Sequence, residues 1–238
     1  LWEQSLPGMG RDKRSAIYDE MNRVIAALHS IDVQAAGLAD FGRPGNYFER
    51  QTARWTGQYR ASITGPNPAM DRLIEWLPAH IPASALDASQ VSIVHGDYRL
   101  DNLIFHPSEP RVLAVLDGEL STIGHPLADF SYHCMSWHIP PALSRGIGGL
   151  DLLARGIPDE DTYICRYAER SGRGDREIDA LHADWSFYLA YNLFHIAAIL
   201  QGIAKRVEDG TASSAEAREA GSRAKPMGEL GWQFARSA

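Results

Sequence analysis

The chain has 238 residues, a length that at about 150 residues per domain favours one large domain or two small ones. Its 45% hydrophobic and 22% charged residues are typical of a globular chain and exclude disordered and collagen-like proteins. The net charge of −7 provides no global positive field for non-specific nucleic-acid binding, so we expect no nucleic-acid partner and a phosphate-bearing ligand must be held by local groups.

The N-terminal part of the chain carries helical patterns. Apolar residues recur at helical spacing from Asp12 to Ile31 and predict an amphipathic helix of roughly five turns. Two further helical patterns run from about Asn46 to Ser62 and from about Pro68 to His80, with Pro66 at the break between them.

Short apolar runs of strand length follow Pro82, at 91–94, 103–105 and 112–116. If the second and third runs pair as a hairpin around the turn 106–111, a symmetric register places Asn102 and Asp117 opposite each other at its open end. The sequence therefore predicts a small β region within a largely helical chain.

Helical patterns return after Pro141. They cover Asp159 to Ser171, Ile178 to Val207, and a last helix from Ser213, where Ser213 and Glu216 form a capping box. The connector at 146–149 is rich in glycine but does not complete a dinucleotide fingerprint, so we expect no phosphate-binding role for it.

The most apolar stretch of the chain lies within the long C-terminal pattern, from Trp185 to Val207. Asn192, His195 and Gln201 interrupt it, which favours a buried core helix over a membrane span. Residues 1–8 lack the basic region and apolar run of a signal peptide, and two cysteines are too few for a disulfide scaffold. We therefore expect a cytoplasmic protein without a membrane partner.

Polar residues stand at the ends of the short apolar runs. His95, Asp97 and Asn102 have the spacing His-x-Asp-x4-Asn of protein-kinase catalytic loops, where the Asp receives the hydroxyl proton and the Asn holds a metal ion. Asp117 ends the third run, and its carboxylate together with the Asn102 carboxamide suits Mg²⁺. Each residue alone is more simply a turn former or a strand cap, but the set at this spacing indicates a catalytic site.

These motifs resemble the aminoglycoside phosphotransferase and choline-kinase-like family of small-molecule kinases. The family pattern is His-Gly-Asp-x4-Asn, then a hydrophobic strand ending in Asp-Trp-Glu, then Gly-x-Pro-x-x-Asp. Further stretches look like the branch of kinase domains associated with acyl-CoA dehydrogenases, and this resemblance covers essentially the whole chain. The stretches that match the family pattern are 95–102, 116–119 and 124–129, and those that match the branch are 6–9, 18–22, 55–59 and 197–202.

The resemblance implies an α+β, predominantly helical fold, namely a protein-kinase-like C-terminal lobe with a small central β hairpin. Residues 1–238 are expected to form one such lobe, with the catalytic segment at 91–130. Family members also have an N-terminal β lobe, with a phosphate-covering loop and a lysine that grips the nucleotide, and we find no counterpart in this chain. We therefore expect the 238 residues alone to bind Mg-ATP weakly.

The resemblance also implies a role for each motif residue. Asp97 would be the base or orienter of the acceptor hydroxyl, and Asn102 and Asp117 would be Mg²⁺ ligands. His95 and Asp129 would brace the catalytic loop. Arg99 and Glu119 are candidates for contacts to phosphate or to the groups around the metal.

The function implied is ATP- and Mg²⁺-dependent phosphorylation of a small-molecule hydroxyl. The branch points to a hydroxyacyl-CoA as acceptor and to association with an acyl-CoA dehydrogenase. Two residues depart from the family pattern: Gly118 replaces the usual Trp, and His125 replaces a common Asp. Loss of the Trp removes a packing surface next to Asp117, so we expect that carboxylate to be less firmly positioned.

Two other function classes need consideration. A non-catalytic kinase-like module that binds a ligand or partner is suggested by the missing lobe and Gly118, but a pseudoenzyme has no use for a base and both metal ligands. A zinc hydrolase site from His133, Cys134 and His138 is disfavoured, because the two histidines are five residues apart and fall on different sides of a helix.

Overall fold

The structure is a computed structural model that describes residues 3–87, 89–212, 214 and 216–238. Its helices are α1 (Arg11–His29), α2 (Tyr47–Ala61), α3 (Pro68–Ala79), α4 (Pro126–Cys134), α5 (Leu152–Arg155), α6 (Glu160–Arg170), α7 (Asp175–Glu208), α8 (Ala217–Ser222) and α9 (Ala224–Ala235). Its strands are β1 (Ser92–Val94), β2 (Leu103–Phe105), β3 (Val112–Val115) and β4 (Thr122–Gly124).

The residues cluster into two compact units. The first comprises Leu1–Gly45 and Ala88–His182, and the second comprises Asn46–Asp87 and Ala183–Ala238. The first unit therefore contains the four strands together with α1, α4, α5 and α6, and it holds all the predicted site residues.

The first unit is built around α1, which packs against α6 and β1. The predicted apolar stripe faces inward, because Ile17, Met21 and Ile25 are each at most 2% exposed. Next to it lies an aromatic cluster in which Phe130 of α4 stacks on Tyr167 of α6 with ring centroids 3.8 Å apart. Stacked aromatic rings bury large areas at low entropic cost and so fix α6 against α4.

The strands form two separate antiparallel pairs. β2 and β3 make the predicted hairpin, closed by a hydrogen bond from the N–H of His106 to the carbonyl of Arg111 at 2.7 Å. β4, which the sequence patterns did not predict, pairs with β1 and brings Ser92 opposite Gly124. Both pairs are too short to be stable alone and rely on packing against the helices.

The predicted register of the hairpin is wrong by one residue. A bulge between Ile104 and Phe105 shifts the pairing, so that Leu103 lies opposite Val115. Continued from the Phe105–Val112 pair without a bulge, the ladder would place Asn102 opposite Val115. With the bulge Asn102 pairs with Leu116, one residue short of the predicted Asp117, through a 2.8 Å bond from the N–H of Leu116 to the carbonyl of Asn102. Asp117 still follows directly at the open end.

The second unit consists of α2, α3, α8, α9 and the part of α7 from Ala183 onward. Phe48 of α2 is buried against three aromatic residues of α7, and α3 packs against α9. The ring centroids that surround Phe48 belong to Phe187 at 5.4 Å, Tyr188 at 5.5 Å and Tyr191 at 4.9 Å. These contacts explain why the predicted helical patterns here have their aromatic residues on one face.

Most predicted helices are confirmed to within a few residues, with three differences. α4 and the short α5 were not predicted, and the last predicted helix is two helices, α8 and α9, in the described part of the chain. Ser213 of the predicted capping box lies outside the described residues. Among the described residues, Arg176–Glu208 is long and apolar enough to cross a membrane, but 61% of its most apolar window is buried within the protein, which supports a core helix.

His133 of α4 makes the stability of the first unit sensitive to acid. Burial lowers the pKa of His133 from 6.5 to about 4, and the charge of Asp129 partly offsets this effect. The folded protein therefore takes up this proton at a lower pH than the unfolded chain does. Stability is therefore fully present above pH 6.5 and is lost as the pH falls towards 4, by about 3 kcal/mol.

This prediction is checked by urea unfolding at a series of pH values for the wild type and His133→Phe. The variant lacks the titrating ring, so its unfolding free energy should fall less steeply between pH 6.5 and 4. The substitution also removes the 2.9 Å contact between His133 and the Tyr163 hydroxyl. Because that contact is lost at every pH, it lowers the unfolding free energy by a constant amount and does not change its slope against pH. Equal slopes for the two proteins would contradict the assignment.

Candidate active site

The loop between β1 and β2 rests on a buried carboxylate. Asp129, only 2% exposed, accepts hydrogen bonds from the backbone N–H groups of His95 at 2.6 Å and Gly96 at 2.9 Å. Nε2 of His29 lies 3.2 Å from the same carboxylate, and the other ring nitrogen of His29 lies 2.7 Å from the Tyr167 hydroxyl. Burial alone would raise the pKa of Asp129, but these hydrogen bonds lower it below its ordinary value, so the carboxylate stays charged.

The ring of His95 joins this loop to the end of β3. Its Nε2 donates to the carbonyl of Leu116 at 2.8 Å, and its Nδ1 accepts from the N–H of Asp97 at 3.2 Å, which assigns the ring proton to Nε2. Gly96 has φ +84°, and a Cβ there would lie 2.9 Å from the carbonyl oxygen of Leu120. Only glycine fits this close turn without displacing the backbone.

The carboxylate of Asp97 is held by three donors. Its Oδ1 accepts from the Tyr132 hydroxyl at 2.6 Å, and its Oδ2 accepts from Nδ2 of Asn102 at 3.0 Å and Nε of Arg99 at 3.1 Å. Burial, followed by the charge of Asp97, raises the pKa of Tyr132 well above its ordinary value, so its hydroxyl remains a donor. The side chain of Asp97 is 15% exposed, which leaves it within reach of a ligand.

Tyr132 is a site residue that the sequence analysis missed. It lies three residues after Asp129, so both side chains fall on the same face of α4. The signal was present in the sequence, because Pro126 is a favoured first residue of a helix and marks the start of α4.

Asn102 and Asp117 both lie at the open end of the hairpin, with Leu116 opposite Asn102 and Asp117 next in the chain. Nδ2 of Asn102 donates to both the carbonyl oxygen and Oδ2 of Asp97, at 2.8 and 3.0 Å. These bonds turn the amide nitrogen toward Asp97, so the side-chain carbonyl oxygen of Asn102 is the atom that can ligate a cation. Asp117 is exposed and adopts a left-handed conformation with φ +63°, at the point where β3 ends.

The two departures from the family pattern have visible local consequences. Gly118 is exposed, and a Cβ there would meet only Ser121 Oγ, at 3.4 Å, among the described residues. In place of packing by a large side chain, a backbone hydrogen bond closes the turn at 118–120: the N–H of Ser121 donates to the carbonyl of Gly118 at 3.0 Å. Glu119 lies exposed on this turn.

His125 is 3% exposed and caps the helix that carries Asp129. Its Nδ1 accepts from the N–H of Leu127 at 3.2 Å, the capping role that an Asp side chain commonly fills. The imidazole therefore preserves the start of α4 without a carboxylate.

The alternative zinc site is not assembled. His133 contacts the hydroxyl of Tyr163 at 2.9 Å, and His138 contacts a carboxylate oxygen of Glu160 at 2.7 Å. No group of three His, Cys, Asp or Glu residues that could hold a metal ion occurs in the part of the chain that the structure describes.

Comparisons with known proteins agree with this geometry. Residues 2–185 match a family model described as "Phosphotransferase enzyme family". The chain is 46% identical, over 98% of its length, to Acyl-CoA dehydrogenase family member 10 of Mus musculus, of which it covers 21%. It is 37% identical, over 95% of its length, to Probable acyl-CoA dehydrogenase IBR3 of Arabidopsis thaliana, of which it covers 28%. The chain thus spans less than a third of the length of these relatives.

Solved structures show the same fold. A candidate aminoglycoside phosphotransferase from Ralstonia eutropha is 63% identical, with a TM-score of 0.93 over 100% of this chain and 70% of that chain. An ethanolamine kinase from Plasmodium vivax shares the fold with a TM-score of 0.58 at 10% identity, over 92% of this chain and 60% of that chain. The predicted helical, kinase-like C-terminal lobe is confirmed.

Proposed function

This chain belongs to the phosphotransferase enzyme family, and we propose that it carries the catalytic loop of a kinase that transfers phosphate from ATP to the hydroxyl group of a small molecule. The predicted resemblance, including that to the branch carried by acyl-CoA dehydrogenases, is confirmed. The observation that carries the proposal is the half-buried carboxylate of Asp97, fixed by donors from its own loop and from α4.

In this proposal Asp97 orients the acceptor hydroxyl and receives its proton as the phosphoryl group is transferred. Little covalent chemistry is required of the protein in such a reaction, and most of the rate enhancement comes from positioning and charge stabilisation. The hydrogen bonds from Tyr132, Asn102 and Arg99 supply that positioning. Arg99 retains its charge, because burial lowers its pKa less than Asp97 and Asp101 raise it.

We assign Asn102 and Asp117 as the residues that hold Mg²⁺. One is an amide whose nitrogen is already engaged by Asp97, and the other is an exposed carboxylate at the same end of the hairpin, which fits the oxygen ligands that this ion prefers. When bound, Mg²⁺ neutralises charge on the phosphate oxygens of the nucleotide.

We further propose a hydroxyacyl-CoA as the acceptor. The support is that curated relatives named as acyl-CoA dehydrogenases contain this region within much longer chains. A kinase lobe in one chain with an acyl-CoA dehydrogenase suggests a shared acyl-CoA pool, so we also propose association with such an enzyme, in the cytoplasm.

The experiment that tests the function is an acceptor panel with the protein in its natural full length. Release of ADP is followed with ATP and a hydroxyacyl-CoA, an aminoglycoside or choline, each with Mg²⁺ and again with excess EDTA. We expect turnover with a hydroxyacyl-CoA that stops when the metal is removed. Turnover with none of the acceptors would favour the alternative of a non-catalytic binding module.

Tyr132→Phe is expected to lower kcat about tenfold, because it deletes one hydrogen bond to the charged form of Asp97. The KM for ATP should not change. Tyr18→Phe is the matched control, since the Tyr18 hydroxyl is also buried and donates at 2.6 Å, but to the backbone carbonyl of Gln4. Equal kcat values for the two variants would show that Tyr132 has no role in positioning Asp97.

A further inference from the structure

Two arginines converge on one nearly buried carboxylate next to the catalytic loop. Nη1 of Arg145 lies 2.6 Å from Oδ2 of Asp101, and Nε of Arg99 lies 3.4 Å from Oδ1 of the same side chain. Nε of Arg99 also donates to Asp97 at 3.1 Å. Asp101 is 8% exposed, whereas Arg99 and Arg145 are 37% and 41% exposed. The carboxylate is thus an internal anchor, and both guanidinium groups reach solvent, that of Arg99 in contact with Asp97 and that of Arg145 on the same Asp101 carboxylate.

Arg145 is presented by a rigid segment. The next residue, Gly146, lies so close to Ile139 that a Cβ there would stand 1.8 Å from the Ile139 carbonyl oxygen. The N–H of Ile147 donates to the carbonyl of Ser136 at 2.7 Å, and the N–H of Gly148 donates to that of Ile139 at 3.0 Å. Gly146 and Gly148 therefore permit the close packing, and the two backbone hydrogen bonds fix the segment from which Arg145 extends.

The hydrogen-bond inventory of Arg99 shows what this arrangement can bind. A guanidinium carries five N–H donors, and Arg99 uses only Nε for its contacts to Asp97 and Asp101. Its two terminal amino groups make no hydrogen bond within the described ranges of the chain. An anchored guanidinium with a free pair of donors matches the two oxygens of a carboxylate or phosphate.

The two arginines favour an anionic acceptor over a cationic one. The chain as a whole carries a net charge of −7, so an anion is not attracted by the overall field and must be bound by local donors. An acceptor with an ammonium group, by contrast, would meet two guanidinium groups on its approach to Asp97, and like charges in contact oppose binding.

We propose that Arg99 and Arg145 form a subsite for an oxyanion, a carboxylate or a phosphate, carried by the same acceptor molecule whose hydroxyl is phosphorylated. This inference rests on the proposed function and narrows its substrate class. Hydroxy acids and hydroxyacyl-CoAs fit the subsite, whereas choline and aminoglycosides do not.

The test compares acceptors that differ only in the anion, using the protein in its natural full length. One pair is the 3-hydroxybutyryl thioesters of 4′-phosphopantetheine and of pantetheine, which differ only in the phosphate. The other pair is 3-hydroxybutyrate and its methyl ester. Together the pairs distinguish a phosphate from a carboxylate as the group that is recognised.

Arg145→Gln is expected to raise KM for the anionic member of a pair about tenfold to a hundredfold, with KM for its neutral partner and for ATP unchanged. If Arg145 had only a structural role, the substitution would change KM equally for the charged and the neutral acceptor. Arg111→Gln is the matched control, because Arg111 also contacts a carboxylate, that of Glu109 through Nε at 3.1 Å, but at the turn of the hairpin. Equal effects on charged and neutral acceptors, or preferred turnover of choline, would overturn the proposal.

A binding measurement separates failure of this inference from failure of the proposed function. If the wild type phosphorylates no acceptor, calorimetric titration with inorganic phosphate still reports on the subsite. Weaker binding in Arg145→Gln than in the wild type and Arg111→Gln would uphold the subsite without the kinase activity. Equal binding in all three proteins would refute the subsite.

Discussion

Asp97→Asn is expected to lower kcat for phosphate transfer by about 10²- to 10⁴-fold, the range in which general acid–base groups contribute. The variant keeps a carbonyl oxygen that can accept from the Tyr132 hydroxyl, now 2.6 Å from Oδ1 of Asp97, but it loses the carboxylate that receives the acceptor proton. Its amide nitrogen would also face the donors of Asn102 and Arg99. The effect should appear in kcat, with the KM for ATP nearly unchanged.

The measurement is steady-state kinetics on the protein in its natural full length, with urea unfolding of the same samples. Asp159→Asn serves as the control, because Asp159 is an exposed helix cap far along the chain from the catalytic loop and accepts from the N–H of Thr162 at 2.7 Å. A folded Asp97→Asn protein with the kcat of the control would remove Asp97 from the chemistry.

Asp129→Ala should lower the free energy of unfolding by about 3–5 kcal/mol, the cost of breaking a buried charged network by removing one partner. The change leaves the N–H groups of His95 and Gly96 and the ring of His29 without their acceptor, in a site that water does not reach. The backbone of the catalytic loop would lose the contact that fixes it, so activity should fall as well.

The check is urea unfolding of Asp129→Ala beside Asp159→Ala. The second variant also deletes a carboxylate that accepts from the backbone, but an exposed one, and the loss of such a cap costs about 1 kcal/mol. If the two substitutions cost the same, Asp129 does not support the loop in the way that its burial indicates.

The sequence predicted the parts of this fold that depend on local pattern. α1 was predicted because its apolar residues repeat at helical spacing over nearly the whole element, and the hairpin because two apolar runs flank a turn. β4 was missed because it is three residues long and exists only through its pairing with β1, a partner distant in sequence. The hairpin register was wrong because the apolar runs alone do not fix which residues pair: the turn sets Phe105 opposite Val112, and a bulge after it brings Asn102 opposite Leu116 and not Asp117.

In the candidate site, too, residues within one local motif were predicted, whereas residues that arrive from distant elements were not. His95, Asp97, Asn102 and Asp117 were predicted from their spacing and from the family resemblance, since their positions follow from short turns next to strands. Tyr132 and His29 reach the site from helices, so their contribution depends on how α4 and α1 pack. The position of Arg145 also depends on the tertiary structure. A glycine-rich connector is normally a flexible loop, but the close contact of Gly146 with Ile139 shows that this one is packed against the rest of the unit.

The most direct test of the central claim is phosphorus NMR of the products formed from ATP and 3-hydroxybutyryl-CoA by the protein in its natural full length. We expect a new phosphate ester on the acceptor hydroxyl, formed only with Mg²⁺ and absent from the Asp97→Asn reaction. An ester formed equally well by Asp97→Asn, or ATP hydrolysed to free phosphate with no ester formed on any acceptor of the panel, would contradict it.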